Sequence, residues 1–411
     1  MISALTQAVA QLDANDATGA AETLEAAAVG AVTVPDDAVD AVWRLLPRLG
    51  KALGADWRKT MEKAGKKPLD HVVALKVGGD LMDEGRFGLA SVLLRAAHQQ
   101  RPRNPEILGE LVMCLEELGR NREARTVLEQ ADPALLAESF ELRYLLAFNT
   151  LMTADLEGAG ERLQALEDEG DPDLDALAQE LEAMLERAEA LDGVSPLDVH
   201  DLRGWHLVVN AAVLLHVDTA EPRLKGRLGK GQDSVELWRA GLAGVKAALT
   251  AWGMDPPKVF HAPDAQSALL GRAAGAVLQR PVAVLPEHGT LEPGLVVVCD
   301  VETLPDATAD ALQWHRAGQV LWVHASPWTR EPGWTPDLVS VLHHSIAPLL
   351  AAPDAVMDAV TKTPLPAVPA ALGALLEAAG KVRTPAGVGA FQTKGPRRRQ
   401  RVDTPVAADK T

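Results

Sequence analysis

Apolar residues in the first half of the chain return at three- and four-residue spacing, and short runs of Gly, Asp, Asn and Pro interrupt them. That period lays the apolar positions along one stripe of an α-helix, so the stretch predicts helix after helix joined by short turns. Residues 3–29 predict a helical hairpin turning at Asp13–Asp16, and residues 37–66 predict further helix out of phase with the later helices. After Ser195 the pattern changes. Trp205–Val209 and Ala212–Val217 are short, apolar and β-branched, which predicts a hairpin or two adjacent strands. Strands are then expected at Lys258–Ala262, Val282–Leu285, Leu295–Val301 and Gln319–His324, with helices at Val235–Trp252, Asp264–Gln279 and Ala307–Ala317. Strands apolar at every position and separated by helices imply a parallel sheet covered on both faces. The fold class is therefore multidomain, α plus α/β. A solenoid of helical hairpins over about 1–192 precedes an α/β domain with a mainly parallel sheet over about 197–355. The Gly193-Val194-Ser195-Pro196 stretch marks the boundary.

Charge divides the chain at the same place. Residues 1–194 carry 36 acids and 19 bases, whereas residues 195–411 carry 21 of each, so the whole net charge of −17 lies in the first half. A charge of that sign argues against a general nucleic-acid binder, which must meet phosphate with cations. The exception is a basic block at 394–401, which could dock RNA, an acidic partner or the chain's own acidic helices at 155–192. It lies in a Pro- and Ala-rich tail over 361–411, where one helix is expected at Val368–Ala379 and disorder after residue 381. Cys114 and Cys299 are the only cysteines, too few for a disulfide framework. Ala4–Ala10 is mildly apolar but follows no basic segment, and no uncharged stretch approaches the roughly 20 residues that span a bilayer. A cytoplasmic protein with no membrane partner is expected.

The helical half contains a repeat. Gly85, Ala90 and Ala97 return thirty-four residues later as Gly119, Ala124 and Ala131, with Gly78 at the small-residue position of the first leading helix and Pro102 closing the unit. Small residues at these places let paired helices approach closely, and each glycine turns the chain. Across about 71–136 this resembles the tetratricopeptide repeat, although Ala74 and Leu81 stand where that family often has aromatics. A third unit over Ser139–Leu166 fits with a one-residue shift. The resemblance implies a curved solenoid whose concave face binds a protein or peptide partner, and hence a non-catalytic scaffold or adaptor. Residues 155–192, with fourteen acids and two bases, form either a solvated helical face or a surface that repels acidic partners.

In a parallel α/β sheet, ligands bind beyond the carboxyl ends of the strands. There, Leu295–Thr308 resembles the ribose-phosphate loop of type I phosphoribosyltransferases: a hydrophobic run, an acid, then a turn opening a helix. The resemblance implies that Asp300 would accept ribose hydroxyl protons, while Thr303 and Thr308 would donate to phosphate. The alternative function is thus a phosphoribosyltransferase-like enzyme or a nucleotide or phosphoribosyl sensor. Departures from the family pattern lower the expected activity. Cys299 replaces the first acid, Pro305 removes an amide, and Asp306 adds negative charge where phosphate would sit. No cofactor is implied, and no metal set: His343 and His344, if helical, project about 100° apart. Ser267 near His261 and Asp264 lacks a nucleophile elbow. The basic, glycine-rich stretch Arg223–Asp233 reads as a surface loop, and both cysteines read as core.

Overall fold

The helical period of the first half is realised as successive hairpins. These are α1 (Ile2–Asp13) with α2 (Ala17–Val29), α3 (Asp36–Leu53) with α4 (Arg58–Ala64), and α5 (His71–Asp83) with α6 (Phe87–Gln100). Next come α7 (Pro105–Glu117) with α8 (Asn121–Glu129), a short α9 (Pro133–Glu138), and α10 (Phe140–Leu151) with α11 (Leu156–Gln164). A long helix, α12 (Pro172–Glu189), follows. The computed structural model describes residues 1–31, 33–166, 171–217, 226–329, 332–350 and 352–382, together with the backbone of 395–396.

Five hairpins turn by one device. Asn15, Gly54, Gly85, Gly119 and Ala154 all have positive φ. The next amide in each case returns to the carbonyl five residues back: Asp16 to Gln11, Ala55 to Gly50, Arg86 to Leu81, Arg120 to Leu115 and Asp155 to Thr150. This left-handed closure satisfies carbonyls that a helix end leaves unpaired and reverses the chain within three residues. Ala90, Ala97 and Ala124 are fully buried between helices, and Ala131 packs half-buried against the same core. A methyl on Gly78 would lie 2.9 Å from Leu94, so that glycine sets the approach of α5 to α6.

Contacts between hairpins are polar as well as apolar. Glu25 of α2 accepts from the Gly88 and Leu89 amides, at 2.6 and 3.0 Å, and so caps α6, whose own first residue supplies no side-chain cap. Asn149 of α10 is wholly buried; its amide donates to Glu116 of α7, and its oxygen accepts from Asn121 of α8 at 3.2 Å.

The chain divides into two units, Met1–Ala178 and Gln179–Thr411. The division falls inside α12, ahead of the Gly193–Pro196 stretch. The later turns of that helix bury Leu181, Met184 and Ala188, and Arg187 donates to the Val208 carbonyl at 2.8 Å.

The second unit continues with α13 (Leu202–Asn210), β1 (Val213–Leu214), β2 (Leu228–Gln232), α14 (Val235–Ala251), β3 (Val259–His261), α15 (Ala265–Leu278), β4 (Val282–Val284) and β5 (Gly294–Asp300). A 3-10 turn at Val301–Thr303 leads to α16 (Asp306–Leu312), β6 (Trp314–His315), β7 (Gln319–Pro327), β8 (Leu338–Ala347), α17 (Pro353–Thr361), α18 (Ala370–Lys381) and β9 (Gly395–Pro396). The main sheet has the order β1-β8-β7-β5-β3-β4, with β2 also on β8, and every pairing in it is parallel. β6 and β9 form a separate antiparallel pair.

Several elements differ from the sequence expectation. Trp205–Val209 is helix, not strand. Asp201 caps it by accepting from the Gly204 amide, and residues 204–210 are buried on every side, so no polar face showed the helical period. Gly226–Asp233 is not a loop throughout, because β2 runs along β8; the preceding 218–225 lies outside the described residues. The helix expected at Ala307–Ala317 ends at Leu312. β8 was not foreseen, and it places His343 and His344 on a strand rather than a helix. The helix expected at Val368–Ala379 forms as α18 and packs on α14, where Trp252 donates to the Leu376 carbonyl at 3.0 Å. The expected disorder after 381 and the side chains of the 394–401 block lie outside the described residues. Among the described residues no helix is long and apolar enough to cross a membrane.

Candidate functional sites

Leading and trailing helices of the hairpins carry their charges differently. On the trailing row, Arg95 of α6 pairs with Glu123 of α8 at 2.6 Å. Arg125 of α8 pairs with Asp155 at 2.9 Å, and Glu129 of α8 pairs with Arg162 of α11 at 3.0 Å. The leading row, α5, α7 and α10, carries Arg143 and a Lys76 that pairs with Asp80 at 3.3 Å within α5, and it leaves four other acids crowded together. Glu110 is half-buried on α7, and burial, then repulsion from Glu106, Glu141 and Asp83, raises its pKa above the usual carboxylate range. None of these four carboxylates has an ion-pair partner among the described residues. Like charges held together without a counterion are a standing electrostatic cost, and a cationic ligand relieves it. A groove of about 740 Å³ between α4 and α5 is lined instead by Lys59, Lys63 and Lys67.

One comparison bears on this row of hairpins. Residues 81–147 match the tetratricopeptide repeat family. The match runs from the end of α5 into α10 and includes Gly85, Ala90, Ala97, Gly119, Ala124 and Ala131. The first unit is a tetratricopeptide-like helical array, and repeats of this kind serve protein–protein interaction. Comparison of the sequence with curated proteins returned no match.

The second candidate site is the carboxyl edge of the sheet. From β3 the chain runs outward to β4, then returns past β3 to β5, β7 and β8. The crevice of such a sheet opens at that reversal, between the ends of β3 and β5. Asp264, after β3, caps α15 by accepting from the Ser267 amide at 2.8 Å. Ser267 in turn accepts from the Cys299 amide at 2.8 Å, and His261 bonds the Ala262 carbonyl at 2.7 Å. These three residues therefore hold the crevice together rather than forming a nucleophile and base. Burial, reinforced by the charges of Asp233, Asp264 and Asp300, pushes the Cys299 thiol well above its ordinary pKa, so it is not a thiolate nucleophile.

Strand alternation sends two histidines to opposite faces. His324 of β7 lies on the α14 face, where its Nε2 is 3.0 Å from Asp233 Oδ1 and its ring meets Trp238 and Trp322 edge-on. Burial works to raise the Asp233 pKa. Bonds from His324, Trp238 and Ser234, with the His324 charge, outweigh it and hold the carboxylate low. On the other face, His343 of β8 is 0% exposed and its Nε2 lies 3.7 Å from Asp300 Oδ1. Glu302 joins them, and one donor atom from each of Asp300, Glu302 and His343 falls within 4.8 Å of the others.

Of the residues implied by the ribose-phosphate resemblance, Asp300 stands at this edge. Thr303 donates its hydroxyl to the Asp300 carbonyl at 3.0 Å, and Thr308 is buried within α16. Glu302 was not singled out in the sequence, and His343 was set aside as a metal ligand on the assumption of a helix. Two acids at alternate positions ending an apolar strand were the available signal for Glu302; the histidine pair was visible, but β8 was not recognised.

Proposed function

We propose that the protein is a cytoplasmic interaction scaffold whose tetratricopeptide-like unit binds a basic peptide segment on the concave face formed by α5, α7 and α10. The reading rests on the family match together with one observation: Asp83, Glu106, Glu110 and Glu141 of the leading row have no ion-pair partner among the described residues, while Glu123, Glu129 and Asp155 of the trailing row meet arginines. A Lys- or Arg-rich segment laid along the leading row meets Asp83, Glu106, Glu110 and Glu141 in turn. Rim charges of this kind set selectivity and encounter rate more than total affinity. The two free, buried cysteines support a reducing compartment.

Calorimetric titration of the full chain with a short Arg/Lys-rich peptide tests this. Binding should weaken several-fold in Glu110→Gln/Glu141→Gln, and should hold in Asp173→Asn/Asp175→Asn, which removes equal charge from α12. Raising salt should weaken it in wild type, as expected of exposed charges. Equal loss in both double variants would reduce the effect to net charge and sink the proposal. Tight binding of an acidic peptide, lost in Lys59→Ala/Lys63→Ala, would move the site to the lysine groove.

A further inference from the structure

We propose that Asp300, Glu302 and His343 bind a divalent transition-metal ion at the carboxyl edge of the sheet. Three features converge on it. The donor atoms already lie within 4.8 Å of one another, and the Asp300–His343 separation is 3.7 Å. Ligands about 2.0–2.2 Å from a common ion lie roughly 3–4 Å apart, so a small rotation of the exposed Glu302 side chain completes the set.

His343 supplies the second feature. The ring is fully buried, and neither nitrogen has a hydrogen-bond partner among the described residues. A buried polar group left unmatched is destabilising, and Nε2 is the atom turned toward Asp300. A metal ion takes the lone pair that nothing else takes. By contrast, His324 on the opposite face has spent its Nε2 on Asp233.

Asp300 is the third. The Glu302 amide donates to its Oδ1 at 2.9 Å, which fixes the carboxylate where the imidazole reaches it. Such support orients a ligand before the ion arrives. In register, Asp300 pairs with Ala325 on the intervening β7, and that small side chain separates β5 from β8 on this face.

Donor chemistry selects the ion. One imidazole with two carboxylates suits Zn²⁺ or Mn²⁺, whereas Mg²⁺ and Ca²⁺ favour oxygen alone. Two carboxylates balance the dication, and the described residues supply three ligands, fewer than the roughly four to six positions such ions fill. An open set of this kind is the arrangement of exchangeable sites rather than closed structural ones.

The test is calorimetry on the chelator-treated full chain with ZnCl₂, MnCl₂ and MgCl₂ in turn. One site for Zn²⁺ or Mn²⁺ is expected, with Mg²⁺ much weaker. Glu302→Gln and Asp300→Asn should each weaken the ion at least about tenfold. The metal-free circular-dichroism spectrum of each variant shows whether it remains folded. His343→Gln should abolish the site, read independently from the visible spectrum of Co²⁺ loaded into wild type and variant. No binding of Zn²⁺ or Mn²⁺ to wild type overturns the proposal. So does binding that survives both carboxylate variants, or Mg²⁺ binding as tight as that of Zn²⁺.

Discussion

His206 lies wholly buried in α13, with Asn210 donating to its Nδ1 at 3.1 Å. Burial, and then the neighbouring Arg227 charge, lowers its pKa to about 3. An unfolded histidine takes up a proton near pH 6.5 that the folded one refuses down to about 3. The folded state thus binds fewer protons across that window, and this contribution to stability is complete above it and shrinks as pH falls. The expected slope approaches about 1 kcal/mol per pH unit at mildly acidic pH. Denaturant midpoints followed by tryptophan fluorescence, from pH 7.5 downward, measure it, since seven of the nine tryptophans follow Ser195. His206→Gln should flatten part of the slope; identical slopes in variant and wild type would contradict the assignment. Nothing in the sequence around His206 announces this, because burial depends on what packs against α13. The same holds for Asn149, a polar residue that reads as surface and instead joins three helices.

Turns between helices were largely legible where glycine marked them. Gly85 and Gly119 occupy equivalent left-handed positions, φ +72° and +67°, and the thirty-four-residue spacing found both. The third repeat unit, α10 with α11, turns at Ala154, φ +61°, one residue later than the period predicts and without glycine. A side chain in this conformation costs about 1–2 kcal/mol, partly offset by the lower entropy of the unfolded chain. Ala154→Gly should therefore stabilise the helical unit by about 0.5–1 kcal/mol, and Gly85→Ala should destabilise it by a similar amount. No neighbour lies within 4 Å of a methyl placed on Gly85, so that loss isolates the backbone. Thermal melts of the two variants decide it, and a destabilised Ala154→Gly would show that the turn is held by something else. Sheet strands were legible where both faces are apolar, as in β5. β8 escaped because Ser340, His343 and His344 interrupt its apolar run. The structure explains two of them: Ser340 accepts from Trp322 Nε1 at 2.8 Å, and His343 faces Asp300. α13 escaped for the opposite reason, since a helix apolar all round shows no period to separate it from a buried strand.

Across the whole chain, the net charge of −17 arises in the first 194 residues, and composition alone located it there. Composition could not say which acids are paired. On the trailing helices Arg95, Arg125 and Arg162 meet Glu123, Asp155 and Glu129, and on the leading helices Glu106, Glu141 and Asp83 repel the charge of Glu110. That asymmetry, laid over a tetratricopeptide-like array, is what the proposed binding of a basic segment rests on. Photo-crosslinking the full chain to an Arg/Lys-rich peptide bearing a single photoreactive residue, then mapping the adducts, tests it most directly. Adducts should fall on α5, α7 and α10 and fade in Glu110→Gln/Glu141→Gln. Adducts confined to α6, α8 and α11, or to residues beyond 178, would contradict the assignment.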